Sequence, residues 1–381
     1  MPVVRRQRLP GVDVARGLAV LGMAAVHVLP LRDDVGVRTT ADLVVSGRSA
    51  ATFAVLAGVG VAFATRGADR RSAALSLALR GVAVGLLGLL LGALDSGVLV
   101  ILAFYGLFFV LLAPLVRLPT RTALLAAAGV ALLGPPLSQL LRAGRDSAPF
   151  NPVLADLRTP GALLEQLLLT GTYPALPWLA YLLLGLGVGR LPLTRARTAV
   201  ALLVSGAALA LVAHLASALL LGPLGGDDAL AGTTSVATRL ADRPGATVPD
   251  VVGASRFGTV PTDSPWWLAV DARHSSAPPD LAATGGVALA VLGVSLLAAR
   301  VAGRLLAPLG AVGSMPLTVY SCHLVWLALT DTTAPGRYYL AQVLVALVVA
   351  TLWRRFFGRG PLEAGLAALT RLVRGRLRAA A

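Results

Sequence analysis

The sequence predicts an all-α polytopic membrane protein, about ten transmembrane helices in one bundle with both termini cytoplasmic. Three observations carry this. First, 56% of the 381 residues are apolar and only 13% are charged, with a mean hydropathy of +0.79, well outside the soluble range. Second, apolar runs of about 20 residues recur along the chain, each long enough to cross roughly 30 Å of hydrocarbon. Backbone amides meet no water there, so a span is a helix or part of a closed barrel, and barrel-type alternation is absent. Third, all 33 basic side chains are arginines, gathered in alternate connecting segments as a positive-inside bias.

Spans are expected at roughly 12–31, 41–64, 73–94, 97–116, 122–141, 175–189, 198–221, 282–300, 306–329 and 338–353. The first lacks a small-residue cleavage site and is interrupted by Asp13 and Arg16, so it reads as a retained helix rather than a signal peptide. Gly81/Gly85 and Gly88/Gly92 in the third, and Gly185/Gly189 in the sixth, allow close helix approach. No strand precedes these glycines and no lysine follows, so they are not phosphate loops. Pro135/Pro136 in the fifth span and Pro316 in the ninth are candidate breaks. Most loops are short, which makes sequential helices antiparallel neighbours.

The inner segments then hold Arg5, Arg6, Arg8 and Arg16; Arg66, Arg70 and Arg71; Arg117 and Arg121; Arg190, Arg195 and Arg197; Arg300 and Arg304; and the tail arginines, while most acids fall outside. Two outer loops are long. Residues 142–174 include GALLEQLLLTG, expected to lie along the membrane surface. Residues 222–281 begin with a Gly-, Asp-, Thr- and Pro-rich stretch whose plain reading over 222–250 is disorder, then run into DSPWWLAVDARHSSAPPD, a candidate functional loop. Residues 1–353 thus form a single transmembrane domain, and 354–381 a basic amphipathic cytoplasmic tail read as a surface anchor.

The net charge of +15 is accounted for by topology and contact with anionic headgroups, and no nucleic-acid motif accompanies it. Cys322 is the chain's single cysteine; it excludes an intrachain disulfide and matches no metal spacing, so no metal is expected.

Ionisable groups inside a membrane cost roughly 2.5–3.5 kcal/mol each on insertion scales and usually face a bundle interior. In VDVARGLAVLGMAAVHV, Arg16 and His27 lie just over three helical turns apart, on nearly one face and about 16 Å along the axis. Asp13, three residues before Arg16, can pair with it. At the outer level sit His27, Arg48, Tyr320, His323, Ser138, Gln139, Tyr173, Trp178 and Tyr181, with Trp266, Trp267 and His274 able to fold over them from the long loop. Asp13, Arg16 and Arg80 lie at the inner level beside Arg66, Arg70 and Arg71. Arginine forks suit the phosphates of an acyl-coenzyme A. Histidine near neutral pH suits a general base, or a transient acyl carrier, for a hydroxyl or amine acceptor. The donor's thioester would reach His27 along a buried channel. The catalytic set is therefore His27, Arg16 and Asp13; the acceptor set Arg48, Tyr173, Trp178, Trp267, His274, Tyr320 and His323; the coenzyme set Arg66, Arg70, Arg71 and Arg80.

Each residue also has a structural reading. Asp13 and Arg16 suit an interfacial anchor, His27 a packing role, Arg48 a salt bridge with Asp42, and His274 an ordinary loop position. The Tyr and Trp residues suit an interfacial belt. His214 has no polar company on its own helix face and reads as structural.

The stretch RLPGVDVARGLAVLGMAAVHV followed by GRSAATFAVLAGVG resembles the opening of YeiB-like bacterial membrane proteins, a group of largely unknown function. That group is related to the catalytic domain of heparan-alpha-glucosaminide N-acetyltransferase. TYPALPWLAYLLLGLGVGR and GSMPLTVYSCHLVW resemble its later signatures. Arg16 and His27 also have the Arg-x10-His spacing of integral-membrane O-acyltransferases, which is how those two residues carry over. The resemblance implies the transmembrane acyltransferase bundle and transfer of an acyl group, acetyl in the first instance, from cytoplasmic acyl-CoA across the membrane. The eukaryotic acetyltransferase's catalytic histidine lies in the outer loop after the first span; here that loop reads RDDVGVRTT and has no histidine. Its glucosamine substrate therefore does not carry over.

The expected acceptor is a glycan or lipid-linked sugar at the extracytoplasmic side, and the expected location the cell membrane. No permanently bound cofactor is expected; acyl-CoA is the co-substrate. The partners are the bilayer, the acceptor and a second copy of the chain. Two other readings stand beside this one. A transporter with two inverted halves of five spans would place its site at broken helices near the midplane. A silent scaffold would not need His27.

Overall fold

The computed structural model describes residues 9–379 apart from 34–36, 68, 146, 149 and 244; of 372–379 it describes the backbone alone. Arg5, Arg6 and Arg8 of the inner charge set, and the middle of the loop RDDVGVRTT, lie outside the described residues.

Among the described residues the chain is helical, and its β-type pairing is one isolated bridge, Arg32 with Arg38. The principal helices are α1 (Pro10–Val28), α2 (Arg48–Thr65), α3 (Arg70–Leu91), α4 (Leu102–Leu112), α5 (Thr120–Leu141), α6 (Ala175–Val188), α7 (Ala196–Leu221), α8 (Pro278–Val301), α9 (Ala307–Ser314), α10 (Pro316–Leu329), α11 (Pro335–Phe356) and α12 (Pro361–Ala379). Among the described residues seven helices are long and apolar enough to cross a membrane, and up to nine spans result if each of two bent pairs counts as one. The expected tenth, at 97–116, is a shorter apolar helix, Leu102–Leu115, whose last turn tightens at Pro114.

The proline signals worked unevenly. Pro316 opens α10 after an 84° bend from α9. Pro135 and Pro136 do not break α5, which runs through them. The second bend, 62°, falls ahead of α6, where Pro160–Thr170 approaches it. That segment includes GALLEQLLLTG. Its backbone ends in a π-turn over Gln166–Thr170, with Leu163, Gln166 and Thr170 buried.

α1 is the hub. It packs against α2, α8, α9, α10 and α11, and two-thirds of its span is buried. The small-residue spacings mark the closest crossings. A Cβ on Gly81 would come within 2.7 Å of the Gly106 carbonyl oxygen, so only glycine lets α3 and α4 meet there. α7 packs along α8 in the same way, Gly206 against Gly286.

Arginines tie the loops of one end together: Arg66 donates to the Gly189 carbonyl at 3.1 Å, Arg190 to that of Val116, and Arg300 to that of Thr194. The opposite end carries the long loop 222–281. Its first part is not disordered but folds into short helices at Gly226–Ala231, Thr234–Ala241 and Val248–Val252. Leu230, Val236, Val251, Val252, Val260 and Trp267 form its own apolar core. Arg256 stacks over the Trp267 ring at 4.8 Å and caps the Val251 carbonyl at 2.8 Å; burial and the neighbouring Arg239 and Arg243 lower its pKa to about 9. Side chains near the end of α5 clamp this cap to the bundle, Gln139 on Pro261 and Ser264 (2.9 and 2.8 Å) and Arg142 on Val260 (2.9 Å).

Candidate active site

At the arginine-rich end a cavity of about 490 Å³ opens between α1, α2, α3, α4, α10 and α12. Arg16 and Arg80 line it from α1 and α3, and Arg359 and Glu363 close it from the tail. Arg16 pairs with Asp13 at 3.7 Å and donates to the Leu56 carbonyl at 3.3 Å. Gly60 leaves room for this guanidinium, since a Cβ there would sit 2.7 Å from Arg16 Nη2. Arg80 stands over the Phe109 ring at 5.8 Å.

The tail is more than a surface anchor. Glu363 accepts from the backbone amides of Leu317 (2.8 Å) and Thr318 (3.2 Å) and from Thr318 Oγ1 (2.5 Å), capping α10. Leu366, Ala367 and Thr370 then face the cavity. Of the expected coenzyme set only Arg80 lines this space. Arg66 is engaged at Gly189 and over the Phe63 ring at 5.5 Å, and Arg70 and Arg71 stand exposed at the start of α3.

At the opposite end α1 and α10 bring two histidines together. His27 Nδ1 lies 3.0 Å from His323 Nε2, and His323 Nδ1 lies 2.9 Å from Gln342 Oε1 on α11. The ring planes are 16° apart and the centroids 5.3 Å, a separation that suits a near-linear N–H···N bond. An amide oxygen only accepts, so His323 carries its proton on Nδ1 and accepts at Nε2; His27 therefore donates from Nδ1. The lone pair of a neutral His27 is left on Nε2. Tyr320 stands edge-on to His27 at 6.4 Å.

His274, Tyr173 and Trp178 form an adjoining cluster. Trp178 lies 6.4 Å from His274 and 5.0 Å from Tyr173, and donates to Ser276 Oγ at 3.1 Å. His274 adopts φ 55°, a left-handed conformation that histidine tolerates better than most residues. Burial, with Arg273 beside it, depresses its pKa to about 4. Phe108 links Trp178 to Tyr105, with centroids 6.3 and 5.3 Å apart.

Tyr105, beside Leu102, reaches the cavity from α4. Its hydroxyl is buried without a hydrogen-bond partner among the described residues. Neither His27 nor His323 lines the cavity, whose wall includes the packed rings of Phe53, Tyr105 and Phe109. The cavity therefore does not extend to the histidine pair as the expected continuous channel would.

Other expectations resolve differently. Asp42 pairs with Arg38 and Arg273, both at 2.8 Å, rather than with Arg48. Trp267 lies within the loop core and donates to Asp263 at 2.9 Å, apart from the histidine pair. His214 does have polar company, the Asp271 carboxylate, supplied by the long loop. Gln342, Tyr105, Arg359 and Glu363 escaped the sequence reading. Only Gln342, a lone amide within YLAQVLVALVV, carried a usable signal. Among the described residues no group of three His, Cys, Asp or Glu side chains could hold a metal ion.

No curated protein matches this chain. A family model described as heparan-alpha-glucosaminide N-acetyltransferase, catalytic, matches residues 8–221, more than half of the sequence. The match takes in Asp13, Arg16, His27, Arg80, Tyr105 and Trp178, and ends before His323, Gln342 and the tail. By that match the chain belongs to the heparan-alpha-glucosaminide N-acetyltransferase catalytic-domain family.

Proposed function

We propose that the protein is a membrane acetyltransferase of the cell membrane, taking its acyl group from cytoplasmic acyl-CoA and passing it to a hydroxyl or amine acceptor at the extracytoplasmic side. The observation that carries this is the chain His27–His323–Gln342, which leaves a lone pair on His27 Nε2 within a family of acetyltransferases. The arginine-rich cavity offers the donor's phosphates Arg16, Arg80 and Arg359.

His27 Nε2 takes the proton of the acceptor O–H or N–H as that atom attacks the thioester carbonyl. The C–S bond breaks, and the imidazolium returns its proton to the departing thiolate, giving an ester or amide and free coenzyme A. Tyr105 stands in the cavity wall, and its hydroxyl, without a partner among the described residues, is available to the thioester's carbonyl oxygen. Asp13 holds Arg16 in place.

The test is acetyl-CoA binding and slow hydrolysis by purified protein. His27→Ala is expected to abolish turnover and keep coenzyme A binding, whereas Arg16→Ala weakens binding. Wild-type protein that neither binds nor cleaves several acyl-CoAs sinks the reading and favours a transporter, for which the two bent helix pairs at 62° and 84° speak.

A further inference from the structure

A second cavity, about 350 Å³, lies between α1, α10 and α11. Leu21, Ala24, Val319, Val343, Ala346 and Val349 are among its apolar lining. α11 is only 11% buried along its spanning window, so this crevice faces hydrocarbon rather than the bundle interior. A water-soluble occupant would have to cross lipid to reach it.

The crevice is polar at one place. His323 and Gln342 line it, with Tyr320 and Trp326 beside them. Gln342 is 7% exposed, its Oε1 is committed to His323, and its Nε2 is buried with no partner among the described residues. An amide N–H left unpaired in such a site is destabilising, and a lone pair brought in by a ligand's oxygen or nitrogen recovers it. On α1 the wall residues Leu21 and Ala24 lead directly to His27, one turn on and along the same face. The apolar crevice and the histidine pair are therefore two ends of one feature.

We infer that this crevice holds the hydrocarbon chain of a membrane amphiphile, whose hydroxyl or amine headgroup offers a lone pair to Gln342 Nε2 beside the His323–His27 pair. This rests on the proposed acetyltransferase reading and names its acceptor class: a lipid with a hydroxyl or amine headgroup, entering sideways from the bilayer. The chain is held by shape and dispersion, since lipid outside is equally apolar. Specificity then lies in the polar end.

The experiment uses full-length protein in lipid nanodiscs with two diazirine-bearing probes, a long-chain alcohol and a long-chain amine. Peptide mapping is expected to place the crosslinks on Leu21, Ala24, Val343 and Ala346. Labelling is expected to disappear in Ala346→Trp and in Val343→Trp, two independent ways of filling the crevice, each checked for monodisperse elution. It persists in Val348→Trp, an exposed position on α11 outside the crevice lining. Labelling spread evenly over lipid-facing helices, or indifferent to both fillings, overturns the inference. So does Val348→Cys protein that links to a second copy and excludes the probes, which makes the crevice a dimer face. Acetyl-CoA hydrolysis without localised labelling defeats the lipid site and leaves the enzyme reading standing. Localised labelling with no acetyl-CoA turnover does the reverse.

Discussion

A neutral imidazole can present its lone pair on either ring nitrogen, and the protein must choose one. Gln342 makes that choice two residues away from the base it serves, through His323. At metal-bound histidines, partners that orient the ring matter by about 10–100-fold, and an effect of the same order is expected here. Gln342→Leu, which keeps bulk but accepts no hydrogen bond, is expected to lower the turnover of acetyl-CoA within that range and leave coenzyme A affinity unchanged. Gln342→Glu still offers an oxygen to His323 Nδ1 and is expected to restore most of it; equal losses in both variants would reduce Gln342 to packing. Sequence alone singles out His27 and His323, because an ionisable side chain in an apolar helix is conspicuous wherever it points. It does not reveal that they touch, since 296 residues separate them. His214 makes the same point in reverse, its partner Asp271 lying 57 positions away.

Helix existence follows from hydropathy, but which surface takes a helix's apolar face does not. The tail pattern reads as membrane-seeking, yet α12 begins by capping α10 through Glu363 and walling the arginine cavity. Glu363→Ala leaves the amides of Leu317 and Thr318 without this acceptor and loosens that wall. Its expected signature is a raised KM for acetyl-CoA with a smaller change in kcat, measured by steady-state hydrolysis. The long loop presents the opposite case. Its Trp pair looks like a ligand-binding feature in sequence, but Trp267 is 0% exposed inside the cap's own core. Trp267→Ala is expected to cost about 3–5 kcal/mol, as large-to-small changes in cores do, read as a lowered unfolding midpoint in detergent. Retained stability would place Trp267 outside the cap's core. Composition misleads here because Gly, Asp, Thr and Pro serve caps and tight turns as readily as disorder: Thr247, for example, caps Val248–Val252 in a reciprocal pair with Asp250.

For the whole molecule, the arginine bias and the loop contacts select the same partition. The segments joined by Arg66, Arg190 and Arg300 belong to one end, and those gathered by Gln139, Arg142 and Arg273 to the other. The bundle therefore has a chemically distinct front and back, and only their assignment to the two sides of the membrane rests on the positive-inside rule. That assignment decides where donor and acceptor come from. It can be read with a chain lacking its single cysteine, Cys322→Ala, carrying one new cysteine at exposed Gly67 or at exposed Gly232. In intact cells a membrane-impermeant maleimide is expected to label the Gly232 site and spare the Gly67 site until the membrane is opened. The inverse pattern would put the arginine cavity outside, where no acyl-CoA pool meets it. Cytoplasmic donation would then fail while the helical bundle and both cavities remained as they are.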